Sequence, residues 1–186
     1  ARAPLVARLD ADDVARPDRL ERQHAFLAAH PEVGLLGSAA RVMDETGRVW
    51  ITSTIRPSDN PAFCKAGSSH PSAMLFPINR SGRQLAMYDP KTKKLTHINT
   101  CFGTHHLMFA EDANRTLWTS GGGQVVGWLD TKMFDATGDE EKSQGWTALI
   151  LDTNGDGKRG EYTEPNQPID PTKDHRITAG FYAVAP

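Results

Sequence analysis

The sequence has no apolar run approaching the roughly 18 residues that cross a bilayer, so no membrane span is expected. It has no surplus of one charge: 21 Lys and Arg stand against 23 Asp and Glu, a net charge of -2. That balance argues against a nucleic-acid partner. Cysteine is scarce, and Cys64 and Cys101 are not in a Cys-x-x-Cys spacing. No Cys-x-x-Cys metal motif is therefore present, and the pair makes one disulfide or none. The opening residues, ARAPLVARLDADD, lack the long apolar core of a signal peptide. Residue 1 does not look like a natural start, so export stays open. Gly121-Gly122-Gly123 lacks a following Lys-Ser/Thr, which makes it a bend between strands rather than a phosphate loop.

What is present fits a soluble globular chain: 186 residues, 38% hydrophobic and 24% charged, enough for one ordinary domain or two small ones. The stretch from His105 to Asp130 reads as consecutive short strands. Leu107 to Ala110, Thr116 to Thr119 and Val125 to Leu129 are separated by polar or glycine turns. One phrase occurs twice: Asp44-Glu45-Thr46-Gly47-Arg48-Val49-Trp50 and Asp112-Ala113-Asn114-Arg115-Thr116-Leu117-Trp118, with Asp six residues before Trp in both. Two such units point to blades of a β-propeller. Trp50, Trp118, Trp128 and Trp146 all fall in strands, where packing between blades is their expected role.

Residues 1–43 differ in character. Asp12 or Asp13 is placed to cap a helix starting near Val14, with Pro17 in its first turn and His30-Pro31 at its end. Leu20, Gln23, His24, Leu27 and Ala28 follow helical spacing. Val33 to Ser38 reads as a short buried strand. Further on, residues 56–82 read as a long loop rich in Pro and Gly. Arg83 to Tyr88 and Leu95 to Ile98 form a hairpin across the Asp89-Pro90 turn, whose Lys91, Lys93 and Lys94 are solvated. Asp135 to Gln144 is a charged loop, and Trp146 to Leu151 a strand. Gly180 to Pro186 resembles the first strand of a further unit.

Arg8-Leu9-Asp10-Ala11-Asp12-Asp13, Pro17 to Gln23 and His30 to Ser38 together resemble the middle of a family 2 glycosyltransferase. The resemblance covers roughly residues 5–49. It implies that Asp10 and Asp12, with Asp13 nearby, hold Mn²⁺ or Mg²⁺ and through it the diphosphate of a nucleotide sugar. Such cations prefer oxygen ligands and neutralise a leaving diphosphate. From spacing alone, the acidic triplet is a helix cap. The base-binding strands, the acceptor half and the catalytic base of that family have no counterpart in the sequence, so no transferase activity is expected from this chain alone. A transferase of this kind works on the cytoplasmic side.

Residues 47–186 resemble the streptogramin-lyase type of propeller, in which a hydrophobic strand followed by Asp-x-x-Gly-x-x-Trp recurs in each blade. From Asn60 onward they also resemble a group of exported bacterial propeller proteins, some with a carboxypeptidase-regulatory-like domain. This implies a periplasmic or secreted protein. A lyase-type enzyme is a second alternative, although His105 and His106 match no motif of that family. Adjacent residues on a strand face opposite ways, so the two histidines are not expected to share a metal.

Asp152-x-Asn154-x-Asp156-Gly157 places oxygen side chains at positions 1, 3 and 5, a turn glycine at 6 and the Lys158 carbonyl at 7. That is the start of a Ca²⁺ loop. Glu161 and Glu164 stand near the place where an EF-hand carries its last glutamate, and Thr163 stands in that place. A loop with local ligands implies a structural ion; the alternative is an Asx-rich turn without metal.

The expected architecture is mainly β: an incomplete propeller of about two blades with long loops over 47–186, preceded by a helix-strand segment of α/β type over 1–46. The expected role is a non-catalytic structural or binding segment with an unknown ligand. Open sheet edges favour self-association.

Overall fold

The computed structural model describes residues 5–7, 15–36, 42–120, 124–178 and 184. The chain divides into two compact units, Ala1–Ala40 and Arg41–Pro186. In the first unit, helix α1 spans Arg19–Ala29. It begins later than the caps at Asp12 or Asp13 imply. Asp18 takes the N-cap position, though its side chain makes no cap hydrogen bond. That carboxylate is held instead by Arg16, at 3.1 Å. The helix ends at His30, one residue before Pro31, as expected of a residue preceding proline. No residue of α1 is buried. Leu35, expected in a buried strand, is 91% exposed, and residues 33–36 form no strand.

The second unit is mainly β. Strands β1 (Val42–Met43), β2 (Val49–Ser53), β3 (Gln84–Asp89) and β4 (Lys94–Ile98) pair in chain order as an antiparallel sheet, here called sheet one. Strands β5 (His106–Phe109), β6 (Thr116–Ser120), β7 (Val125–Asp130) and β8 (Gln144–Ala148) do the same as sheet two. Strand β1 lies before the junction expected at 46/47, yet it pairs with β2.

A third, small sheet was not foreseen. It is formed by β9 (Ile150–Leu151), β10 (Tyr162–Thr163) and β11 (Asp174–Arg176), in the order β10-β11-β9. The described residues thus hold eleven strands in three sheets, and no closed barrel or propeller is formed among them.

The repeated aspartates explain why both sheets turn where they do. Asp44 Oδ1 accepts the N–H of Arg48 at 3.1 Å, and Asp112 Oδ1 accepts the N–H of Thr116 at 2.9 Å. Each carboxylate closes the turn between the first and second strands of its sheet on the amide four residues ahead. Asp89 does the same for the β3–β4 hairpin, accepting from Lys91 N and Thr92 Oγ1, both at 2.8 Å.

Alternation along the strands sends one set of side chains to each face. Trp50, Leu85 and Ile98 of sheet one meet Leu117 and Leu129 of sheet two in a shared core. Phe109 lies edge-on to Trp50, with ring centroids 6.1 Å apart.

Residues 56–82 are not the featureless loop their composition implies. They carry a short 3₁₀ turn (Ala62–Cys64) and helix α2 (Pro71–Leu75). This insertion packs on the same face of sheet two through a second cluster, in which Cys64, Ala73, Cys101, Phe102, Val125 and Trp146 are buried. The expected charged loop at 135–144 is partly helical as well: α3 spans Thr131–Thr137. It is capped by Asp130, which accepts from Met133 N at 2.8 Å, and it ends on Gly138 in a left-handed conformation.

Candidate functional site

Three places carry the chemistry anticipated from the residues. Asp10, Asp12 and Asp13 lie outside the described residues, as does the Gly121–Gly123 bend.

The second place is the loop after β9. Gly155 and Gly157 both take positive φ, 76° and 70°, and wind the chain back on itself. The polar side chains close on the loop's own amides. Asp152 Oδ1 accepts from Gly155 N at 2.7 Å and Asp156 N at 3.2 Å, and Asp152 Oδ2 accepts from Gly157 N at 2.9 Å. Asn154 Oδ1 accepts from Asp156 N at 3.0 Å, and Asp156 Oδ1 from Lys158 N at 2.8 Å. Glu161 is drawn to Lys173 at 3.0 Å. Among the described residues, no three His, Cys, Asp or Glu side chains are grouped as a metal site.

A depression of about 400 Å³ adjoins this loop, lined by Thr147, Asp152, Lys158, Arg159 and Asp174 among others. Asp174 is fully buried. Its Oδ2 accepts from Gly160 N at 2.7 Å, while its Oδ1 meets no donor among the described residues. Sequence reading missed this aspartate, because nothing in the polar text around it marks a buried position.

The third place is the histidine pair. His105 precedes β5 rather than lying in it, so the alternation rule does not apply. The two Nδ1 atoms stand 2.6 Å apart, and the rings are 4.4 Å apart.

The insertion holds a polar assembly that residue spacing did not reveal. Cys64 and Cys101 are bonded, with Cα atoms 5.3 Å apart. Around the Cys101 segment, Asn60 Nδ2 donates to the Cys101 carbonyl at 2.6 Å and to the Ile78 carbonyl at 2.9 Å. Gln144 Oε1 accepts from Cys101 N at 2.8 Å. Arg56 donates to the Thr100 carbonyl at 3.0 Å. His70 stacks on Trp146 with centroids 4.7 Å apart. Its Nδ1 accepts from Ser72 N at 3.1 Å, which leaves Nε2 to donate to the carbonyls of Glu141 and Gln144, each at 3.1 Å. A second depression of about 500 Å³ opens beside it, lined by His70, Trp128, Met133 and Lys142 among others. The ring nitrogens of His70 bond only backbone groups, tying the start of α2 to Glu141 and to Gln144 of β8, which gives this histidine a positioning role.

At one end of the two sheets an ionic chain runs through both repeated turns. Arg48 bridges Asp44 at 2.7 Å and Asp135 at 2.6 Å. Arg115 bridges Asp135 at 3.1 Å and Glu45 at 3.3 Å. Burial alone would raise the pKa of Asp44. Hydrogen bonds from Thr46, Trp50 and Arg48 outweigh that and hold it at about 2. The pKa of Arg48 is raised, first by its hydrogen bonds to Asp135, against the opposing effect of burial.

Comparison with known proteins gives one partial likeness to report. The chain is 46% identical over 44 residues to the amylovoran biosynthesis glycosyltransferase AmsE of Erwinia amylovora. The match covers 24% of this chain and 16% of that protein. It supports the glycosyltransferase part of the resemblance at the level of a short shared segment. No family model matches the chain, and no solved structure does.

Proposed function

We propose that residues 42–178 act as a non-catalytic structural or binding segment of the β-propeller kind, in an exported protein. The observation that carries this is the pair of four-stranded meanders, each in chain order and each with an aspartate closing its first turn. Repeats of this kind bury their faces by stacking on neighbours. The Cys64–Cys101 bond fits an oxidising compartment, periplasmic or extracellular. Calcium on Asp152, Asn154, Asp156 and the Lys158 carbonyl belongs to the same reading, supported by the spacing of those oxygens around the left-handed Gly157.

A second reading is a metal-dependent nucleotide-sugar glycosyltransferase fragment, with Asp10, Asp12 and Asp13 on Mn²⁺ or Mg²⁺. The short likeness to a glycosyltransferase favours it for the N-terminal text.

A thermal melt of the purified chain separates the two. It is run with chelator, with Ca²⁺, and with Mn²⁺ plus a nucleotide-diphosphate sugar. A ligand at a hundred times its Kd stabilises by roughly 2.7 kcal/mol. A rise in Tm with Ca²⁺ alone is the expected result. A rise only with Mn²⁺ and the nucleotide sugar would replace the first reading with the second.

A further inference from the structure

The two sheets repeat each other, and the repeat has a direction. Trp50 and Trp118 each lie six residues after the turn aspartate. Trp50 faces sheet two and is 1% exposed. In sheet two, Leu117 faces sheet one, so its neighbour Trp118 faces away from it. The face that sheet one buries is thus the face that sheet two leaves half-covered. Met108 and Trp128 flank Trp118 in register, and Met108 is 41% exposed. Gly145 pairs with Trp128, and a Cβ there would stand 2.4 Å from the indole, so the ring lies on bare backbone.

The same logic applies to the other end of the stack. Val49 corresponds to Leu117, each five residues after the aspartate, yet Val49 faces away from the shared core. Met43, Val49, Tyr88 and Leu95 are in register across all four strands of sheet one and form an uncharged row. Met43, Tyr88 and Leu95 are 52%, 37% and 44% exposed and Ile51 on the same face is 41% exposed, while Val49 and Ala86, at 8% and 0%, lie beneath these neighbours. Among the described residues neither hydrophobic cluster joins an outer face to another sheet. Arg159, hydrogen-bonded to Thr147, reaches one corner of the Trp118 face.

We propose that the Val49 face of one copy docks on the Trp118 face of a second copy, extending the stack head to tail. The occupant is named by continuity: the packing between sheets inside one chain already joins a Trp face to a Val49-type face, and a second copy supplies the missing one at either end. The inference rests on the blade reading of the two sheets. It differs from pairing through sheet edges, because it uses faces and is heterologous.

The test uses two variants at exposed positions, Tyr88→Lys with Leu95→Lys on one face and Met108→Lys on the other. Mass is measured by light scattering behind size exclusion over a wide concentration range. The expected results are a wild-type mass that rises with concentration from one chain towards two and beyond, and variants that each stay at one chain. An equal mixture of the two variants is expected to give dimers and nothing larger, since each retains one working face. A mixture that stays monomeric overturns the proposal, as does a wild type that is monomeric throughout. Tyr88→Glu serves as a second lesion on the first face should the double variant lose its near-ultraviolet indole signal. Absence of that signal in the wild type overturns the blade reading and the stack together; its presence in a strictly monomeric wild type overturns the stack alone.

Discussion

Asp44 shows how much one side chain governs. Its carboxylate accepts from two amides, one hydroxyl, a guanidinium and an indole, and its side chain is 3% exposed. Its pKa is about 2 in the folded chain against roughly 3.9 in an unfolded one. A group whose folded pKa is depressed stabilises above its unfolded value and loses that contribution as pH falls through the folded one. The contribution is on the order of 2 kcal/mol, complete above about pH 5 and gone near pH 2. Asp44→Asn is therefore expected to unfold at lower urea near neutral pH, with its deficit to wild type shrinking as the pH falls from 5 to 2. A deficit that stays constant over that range would remove Asp44 as the titrating group. Gly127 makes a different demand. A Cβ there would stand 2.2 Å from the ring of Phe102, which is 1% exposed. Gly127→Ala should cost about 1–3 kcal/mol through overpacking, read as a lowered urea midpoint at unchanged slope. The Asp-to-Trp phrase was legible from text alone, because it recurs. The need for glycine at 127 was not, because Phe102 reaches it from 25 residues away in the chain.

Among the elements, β-strands with turn signals at both ends were readable, and segments set by distant partners were not. The β3–β4 hairpin follows from Asp89-Pro90, and β5 to β7 follow from short apolar runs. Helix α2 lies in a stretch full of proline and glycine. It forms because Pro71 opens it, His70 caps it through Ser72 N, and Trp146 gives it a floor through Ser72 Oγ at 3.0 Å and the Phe76 carbonyl at 2.7 Å. Those partners sit about seventy residues downstream, beyond any local pattern. The helix expected from near Val14 to His30 forms with a later start, at Arg19, although its periodic residues have no core to face and α1 buries none of them. Of the candidate sites, the Asp152 loop was visible because its ligand spacing is local. Asp174 and the Asn60–Gln144 clamp were not, since their partners are distant in sequence. The disulfide ties the insertion to the segment after β4, closing a loop over a separation of 37 residues. Replacing both Cys64 and Cys101 by alanine should cost about 3 kcal/mol, a fall in Tm of roughly 6–12 °C for a chain of this size. Wild type melted with and without reductant provides the check. An unchanged Tm would mean that the Asn60, Gln144 and Arg56 contacts hold the insertion by themselves.

For the whole second unit the question is whether its two large sheets unfold as one body. Each is a complete antiparallel meander, so hydrogen bonding alone would let them separate. The shared core argues against that. Leu117 and Leu129 of sheet two are fully buried against Trp50, Leu85 and Ile98 of sheet one. The chain Glu45–Arg115–Asp135–Arg48–Asp44 also spans both turns. A sheet parted from its neighbour would expose its largest apolar side chains to water, at roughly 25 cal/mol for each Å² uncovered. Unfolding is therefore expected to be cooperative across the pair. Leu117→Ala removes a side chain from sheet two alone, and its cost, about 3 kcal/mol from lost burial and the cavity left behind, should fall on both sheets. With 5-fluorotryptophan incorporated at all four tryptophans, the resolved fluorine resonance of Trp50 reports on sheet one, and backbone circular dichroism reports on all strands. In the variant both transitions should shift to lower urea by the same amount and remain superimposed. A Trp50 signal that keeps its wild-type midpoint while the backbone signal moves would show that the sheets are independent, and would leave sheet one as a folding unit that needs no neighbour.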